Sequence, residues 1–181
     1  ATAGVSANGG ASRIRASAAG TVTQTDGGAG ALSAARFELT SLGIGNRSAD
    51  LRGTGNAIAA VQSGMNGGLQ LRSTTALAVV GTGIASTAGD VSLRAASIAV
   101  EAPILATGRT VALRTDSGGI SQTAGARITA ARLTLDLAAG NAVLNGGSAT
   151  PADADRNVIG TLGTVDAPGD VTLMNLGALA L

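Results

Sequence analysis

The stretch Gly89–Gly140 reads GDVSLRAASIAVEAPILATGRTVALRTDSGGISQTAGARITAARLTLDLAAG. Three tripeptides recur in it: Val91-Ser92-Leu93, Val111-Ala112-Leu113 and Leu133-Thr134-Leu135. Each is apolar, small or polar, apolar, the period-two signature of a strand with one face inward. Leu93 and Leu113 are 20 residues apart, and Leu113 and Leu135 are 22. Shorter strand-like runs, such as Ser97-Ile98-Ala99-Val100 and Ile104-Leu105-Ala106, fall between them. About three short strands per beat, joined by Gly, Asp, Ser and Pro turns, predict a chain that winds into a coil and stacks each turn on the last.

The same beat extends outward to Ile14 in Arg13-Ile14-Arg15, Leu39 in Phe37-Glu38-Leu39, Leu71 in Leu69-Gln70-Leu71 and Leu173 in Val171-Thr172-Leu173. Two intervals are long: 32 residues from Leu39 to Leu71, and 38 from Leu135 to Leu173. A second period accounts for them. Gly20 to Thr25 resembles Gly119 to Thr123, and Ala34-Ala35-Arg36-Phe37-Glu38-Leu39 resembles Ala130-Ala131-Arg132-Leu133-Thr134-Leu135. Gly55-Asn56-Ala57-Ile58 matches Arg156-Asn157-Val158-Ile159 in the same way. The chain therefore reads as one unit, residues 1–181, with an internal repeat of roughly 100 residues, about 14–112 and 113–181, the second incomplete. Polar excursions, Thr40 to Gly55 and Ala138 to Arg156, fall at one place in each copy and are expected on one face. The fold class expected is all-β, a parallel β-helix (β-solenoid) of about six to seven coils of roughly 20–25 residues. Leu133, Leu135 and Leu137 alternate with Thr134 and Asp136, which favours strand over helix even in the Ala-rich stretch.

Composition fits a narrow core. Of 181 residues 45% are hydrophobic, yet aromatics are 1%, Phe37 alone, so small aliphatics must fill the interior. Glycine numbers 28 and proline 3, which points to many tight turns. Charged residues are 13% and the formal net charge is +1. All the basic residues are Arg, so the high isoelectric point of 9.3 reflects arginine ionisation near charge balance, and nucleic acid is not an expected partner. No Cys is present, which excludes disulfides and thiolate chemistry. No 18-residue apolar run occurs, so no membrane span is expected. Ala1-Thr2-Ala3-Gly4 has neither the basic nor the apolar region of a signal peptide, and the run Ala178-Leu179-Ala180-Leu181 is strand-like. The reading expected is a segment of a longer protein.

Four phrases carry a family resemblance: Ile120-Ser121-Gln122-Thr123-Ala124-Gly125, Ala130 to Leu135, Val158-Ile159-Gly160-Thr161-Leu162-Gly163, and Ala167-Pro168-Gly169-Asp170-Val171-Thr172-Leu173. In style they resemble filamentous-haemagglutinin-type exoproteins, the secreted partners of two-partner secretion systems in Gram-negative bacteria. The resemblance implies a right-handed parallel β-helix, an outer-membrane secretion partner, and display in the medium or at the cell surface for adhesion or filament formation. Asn8-Gly9-Gly10 only faintly resembles the Asn-Pro-Asn-type motifs of that family's secretion domain, so the segment reads as repeat body. The expected function is a non-enzymatic structural and interaction segment of a surface adhesin. Its partner would be a glycan or protein on a host or neighbouring cell, or another copy stacked end to end as a filament.

A β-helical carbohydrate-active enzyme is the other class to weigh. Such enzymes cluster carboxylates on one face of adjacent coils. The 11 acids here are scattered and His is absent, so no catalytic residue, metal site or cofactor is expected. Asp90 and Asp170 sit in Gly-Asp turns, where a turn hydrogen bond is expected. Asp153 and Asp155 lie in a polar loop. Asp26-Gly27-Gly28-Ala29-Gly30-Ala31-Leu32 resembles a calcium nonapeptide, but Ala31 stands where an Asp is needed. The most regular charged feature follows the beat. Arg72, Arg94 and Arg114 each come directly after a beat Leu, and Asp136 takes that place next. They form a candidate outward Arg stripe. One reading is an anionic-glycan surface; the other is a solvated ladder whose stems cover apolar surface and which ends by pairing with Asp136.

Overall fold

The computed structural model describes residues 13–18, 20–24, 30–41 and 46–181, with the backbone alone for 14–18 and 41. Among them helix is almost absent. The strands are β1 (Arg13–Ala18), β2 (Val22–Thr23), β3 (Ser33–Ala34), β4 (Arg36–Ser41), β5 (Arg47–Leu51), β6 (Ala57–Ile58), β7 (Ala60–Arg72) and β8 (Leu77–Ser86). They continue as β9 (Val91–Ala95), β10 (Ile98–Val100), β11 (Ile104–Thr115), β12 (Ile120–Gln122), β13 (Ile128–Leu137), β14 (Ala142–Leu144), β15 (Val158–Asp166) and β16 (Val171–Leu173). Every strand pairing among the described residues is parallel. The chain is a β-solenoid, as the intervals predict.

On a first face, Leu51, Leu71, Leu93, Leu113, Leu135 and Val165 stack in register, so this column spans about five turns. Beside it run Ala49, Leu69, Val91, Val111 and Leu133. A second face stacks Phe37, Val61, Val79 and Val100, and beside them Leu77, Ile98, Ile120 and Ala142. A third, narrower face stacks Ile84, Ile104 and Ile128. All these inward side chains apart from Val165 are buried in one continuous core. Alternation causes the sorting: in β9, Val91, Leu93 and Ala95 are buried while Ser92 and Arg94 are half-exposed. Each fully buried Leu, Ile or Val contributes about 1.5–3 kcal/mol from apolar area alone. Like side chains meet like at ~4.8 Å spacing, so small aliphatics fill the interior without aromatic bulk.

Long strands turn corners through register shifts. In β11 the shift falls between Ala106 and Thr110, where Gly108 takes a φ of +73°. In β8 the corner needs Gly83, at φ +80°, where a Cβ would overlap the carbonyl oxygen of Pro103 on the next coil.

The beat departs from expectation at its ends. Leu39 does not lie below Leu71. It pairs with Ser63, which stacks under Ile84 on the third face, and the rung below Leu71 is Leu51. Leu173 likewise stacks on Leu144, while the rung above Leu135 is Val165. The backbone of Ile14 pairs with Phe37 on the second face. The two long intervals arose because one face was read through into another. Hence Thr40 to Gly55 contains a strand, β5, and Ala138 to Arg156 contains β14; residues 42–45 lie outside the described residues. The loop proper in the second interval runs from Asn145 to Arg156. The calcium-like run from Asp26 to Ala29 and the Asn8-Gly9-Gly10 motif also lie outside the described residues.

Candidate functional site

Strand register puts Arg72, Arg94 and Arg114 on three successive rungs of the first face, followed by Asp136 and Asp166. Each follows an inward Leu or Val, so each points outward. Arg52, next in sequence to Leu51, adds a fourth guanidinium below them. Bare stacking of four cations at this spacing would be repulsive, and acids interleave. Arg94 is held most firmly: its Nε donates to Asp116 Oδ1 and Oδ2 at 2.9 and 3.0 Å, and its Nη2 lies 2.9 Å from Oδ1. Arg114 Nη1 lies 3.1 Å from Asp136 Oδ2 and its Nε 3.9 Å from Asp116 Oδ1. Arg52 grips Asp50 with two bonds, Nε to Oδ1 at 2.8 Å and Nη2 to Oδ2 at 2.7 Å. That fork holds the Asp50 carboxyl below its ordinary value, against the opposing pull of partial burial.

Arg72 differs from its neighbours. Its side chain has no hydrogen-bond or ion-pair partner among the described residues, and its Nε is buried and unbonded. Arg36 and Arg156 also have an Nε without a well-aligned hydrogen bond, yet each sits within ion-pair distance of an acid, Glu38 and Asp153. Arg52, Arg72, Ser92, Arg94 and Arg114 line a cleft of about 220 Å³. The sequence placed the three Arg residues on this stripe and Asp136 at its end. It missed Asp116, which sits in the turn after β11 and reaches back one coil.

The other acids are dispersed. Asp90 Oδ1 accepts the Thr110 N–H of the next coil at 2.8 Å, a bond between coils and not the local turn bond expected. Asp170 donates its own N–H to Asn141 Oδ1 at 3.0 Å. Asp153 pairs with Arg156 at 3.4 Å, while Asp155 Oδ1 accepts the Gly125 N–H at 2.9 Å. Among the described residues no three His, Cys, Asp or Glu converge to hold a metal ion.

Sequence reading also missed two buried amide clamps. Gln122 and Asn157 exchange bonds, Nε2 to Oδ1 at 2.8 Å and Nδ2 to Oε1 at 3.1 Å. Around them Gln122 Nε2 donates to the Ala126 carbonyl, Asn157 Nδ2 to the Leu144 carbonyl, and the Ile128 and Gly146 N–H groups donate inward. Gln24 and Asn56 repeat this bond for bond: Nε2 to Oδ1 at 2.6 Å, Nδ2 to Oε1 at 2.8 Å, with Gly30 O, Leu51 O, Leu32 N–H and Gly53 N–H as the surrounding partners. One step further on, Ser73 Oγ bridges the N–H and carbonyl of Ile58, and the Asn175 amide bridges those of Ile159. The alignment of Asn56 with Asn157 was the available signal. It was read as repeat spacing and not as chemistry.

Comparison with family models, curated proteins and solved structures returns no match.

Proposed function

We propose that the chain is a non-enzymatic structural and interaction segment of an exported surface adhesin. The observation that carries this reading is the continuous stack of aliphatic rungs, from Leu51 to Val165. Such a stack holds outward side chains in fixed columns at ~4.8 Å spacing, which suits a partner read by topography. The resemblance of Ile120 to Gly125 and Ala167 to Leu173 to filamentous-haemagglutinin-type repeats supports export through an outer-membrane partner of a Gram-negative cell. The contact partner would be a glycan or protein on a host or neighbouring cell.

The test fuses the chain behind a two-partner secretion domain in a host carrying the matching outer-membrane transporter. Secretion of a protease-resistant, strand-rich product that adheres to cells supports the reading. Retention of the fusion inside the cell, with the secretion domain alone exported, refutes export. Electron microscopy of the purified chain at rising concentration separates the adhesin from the filament reading: fibres growing with concentration favour a subunit that stacks end to end, short rods favour the adhesin. Release of new reducing ends from a panel of polysaccharides would overturn the non-enzymatic reading.

A further inference from the structure

The geometry points to a carboxylate-binding site in the cleft at Arg72. Four guanidiniums line or border this cleft, and three of them are held by acids: Arg52 by Asp50 two residues earlier on its own turn, and Arg94 by Asp116 and Arg114 by Asp136 from the next turn. Those ion pairs fix the direction of the three flanking side chains and cancel their charge. Arg72 is left as the uncompensated cation, so four Arg against three Asp give the cleft a net charge of +1. A monoanion neutralises it; a dianion would overcompensate.

The buried Nε of Arg72 lacks an acceptor. That atom is closed to solvent and so to a bound anion, which meets the remaining, accessible part of the half-buried guanidinium. A planar carboxylate suits a guanidinium because two parallel N–H groups meet its two oxygens. The Ser92 side chain lines the same cleft and supplies a further hydroxyl donor. At about 220 Å³ the cleft admits a carboxylate and a few attached atoms, below the ~300–1,000 Å³ of pockets that enclose whole drug-sized ligands. The ligand is therefore one carboxylate group, either free as a small acid or at the tip of a larger acidic molecule. The site stands independently of the export reading, since it requires only the folded solenoid.

The experiment follows the arginine Nε–H resonances of the labelled full chain by NMR at low ionic strength. Sodium acetate, sodium sulfate and sodium chloride are titrated separately, and then an oligogalacturonate. Arg72→Gln assigns the Arg72 resonance and removes the charge while keeping the stem. Arg109, whose Nε donates to the Thr87 carbonyl outside the cleft, is the internal control. The expected result is a saturable shift of the Arg72 resonance with acetate, lost in Arg72→Gln and linear for Arg109. Saturation by acetate assigns a small free acid; saturation by oligogalacturonate alone assigns a carboxylate carried on a larger molecule. Asp116→Asn frees Arg94 and raises the charge of the cleft, so it tightens acetate binding about two- to fivefold, the scale of one exposed ion pair. This gain cannot come from misfolding. A linear Arg72 response to all four additives, or an equal response to chloride, reveals a water-filled cleft and overturns the site. Tighter binding of sulfate than acetate to the wild type overturns the monoanion assignment.

Discussion

Replacing Asn157 by Ala tests whether the amide clamp holds the coils together. Asn157 is 0% exposed. Its Oδ1 accepts the Ile128 N–H at 2.9 Å and Gln122 Nε2 at 2.8 Å; its Nδ2 reaches Leu144 O at 2.9 Å, Gln122 Oε1 at 3.1 Å and Met174 O at 3.2 Å. Some of these partners survive truncation. The Leu144 carbonyl keeps the Met174 N–H and the Met174 carbonyl keeps the backbone N–H of residue 157. Gln122 keeps its bonds to Ala126 and Gly146. The Ile128 N–H loses its acceptor in a buried site, which costs about 1–3 kcal/mol. Two amide–amide bonds go as well, at about 0.5–1.5 kcal/mol each. The expected loss is therefore about 4 kcal/mol, or a fall in Tm of roughly 8–16 °C for a chain of this length.

Urea unfolding of wild type and Asn157→Ala measures that loss, provided the slope m is unchanged. A solenoid can unfold coil by coil, so a local readout belongs beside the global one. Hydrogen exchange at the Ile128 amide should accelerate strongly. The Ile104 amide, bonded to the Arg127 carbonyl one coil above, should change far less. Gln122→Ala combined with Asn157→Ala should cost less than the two single losses together, because the pair shares its bonds. A loss below about 1 kcal/mol with normal Ile128 protection would show that the clamp fills space without holding structure, and the reasoning fails.

Other perturbations probe the ladder and its charges. Leu113→Ala, in the middle of the first-face column and 1% exposed, should cost about 2–5 kcal/mol by urea unfolding, since rungs above and below block collapse of the cavity; a cost under 1 kcal/mol would mean the coils slide to close it. Gly83→Ala places a Cβ against the Pro103 carbonyl at positive φ, and thermal melting should show a loss of more than about 1 kcal/mol; an unchanged Tm would contradict the tight corner. Asp50, held below its ordinary value of 3.8 chiefly by Arg52, contributes stability that is present above that value and lost as pH falls through its folded pKa. Since Asp50 and Arg52 are 36% and 61% exposed, the effect is under about 1 kcal/mol and screened by salt. Urea midpoints across the acid range should be flatter for Asp50→Asn than for wild type, and identical pH dependence would remove Asp50 from the account.

The coil was legible because side-chain alternation and beat length report directly on what is buried and how often. Val91-Ser92-Leu93 and Val111-Ala112-Leu113 could be placed one above the other from spacing alone, and the Arg72, Arg94 and Arg114 column followed from the same arithmetic. Spacing cannot say which face a strand lies on. Phe37-Glu38-Leu39 has the pattern of a first-face rung, yet Phe37 sits on the second face and Leu39 on the third, because every face buries alternate aliphatics. Charge pairing was legible only along a column. Asp136 was found because it occupies the next rung, whereas Asp116 reaches Arg94 from a turn, where no periodicity marks it. The clamps were invisible for a different reason: a lone Gln or Asn in a polar stretch looks solvated until the fold brings its partner from 32 or 35 residues away.

The long repeat explains why face assignment failed where it did. Gln24 and Gln122 are 98 residues apart, and one turn in the regular region takes 20 or 22. Counted in register, the column of Thr23 rises through Asp50, Gln70 and Ser92 to Ala112, and Gln122 lies about half a turn beyond, so the long repeat is about four and a half turns. A half-integral number returns each copy to a different side of the coil. The first clamp follows β2 on the first face, and the second closes β12 on the second face. By the same shift Leu39 matches Leu135 in sequence while the two lie on different faces, the third and the first. Loops that recur once per long repeat therefore emerge on different sides and cannot form one continuous surface. The outward chemistry is not shared either: the position matching Arg72 in the second copy is Met174. What recurs is the interior, a Gln–Asn pair and the backbone groups it satisfies. The surface is free to differ between copies, and the cleft at Arg72 arises within that freedom.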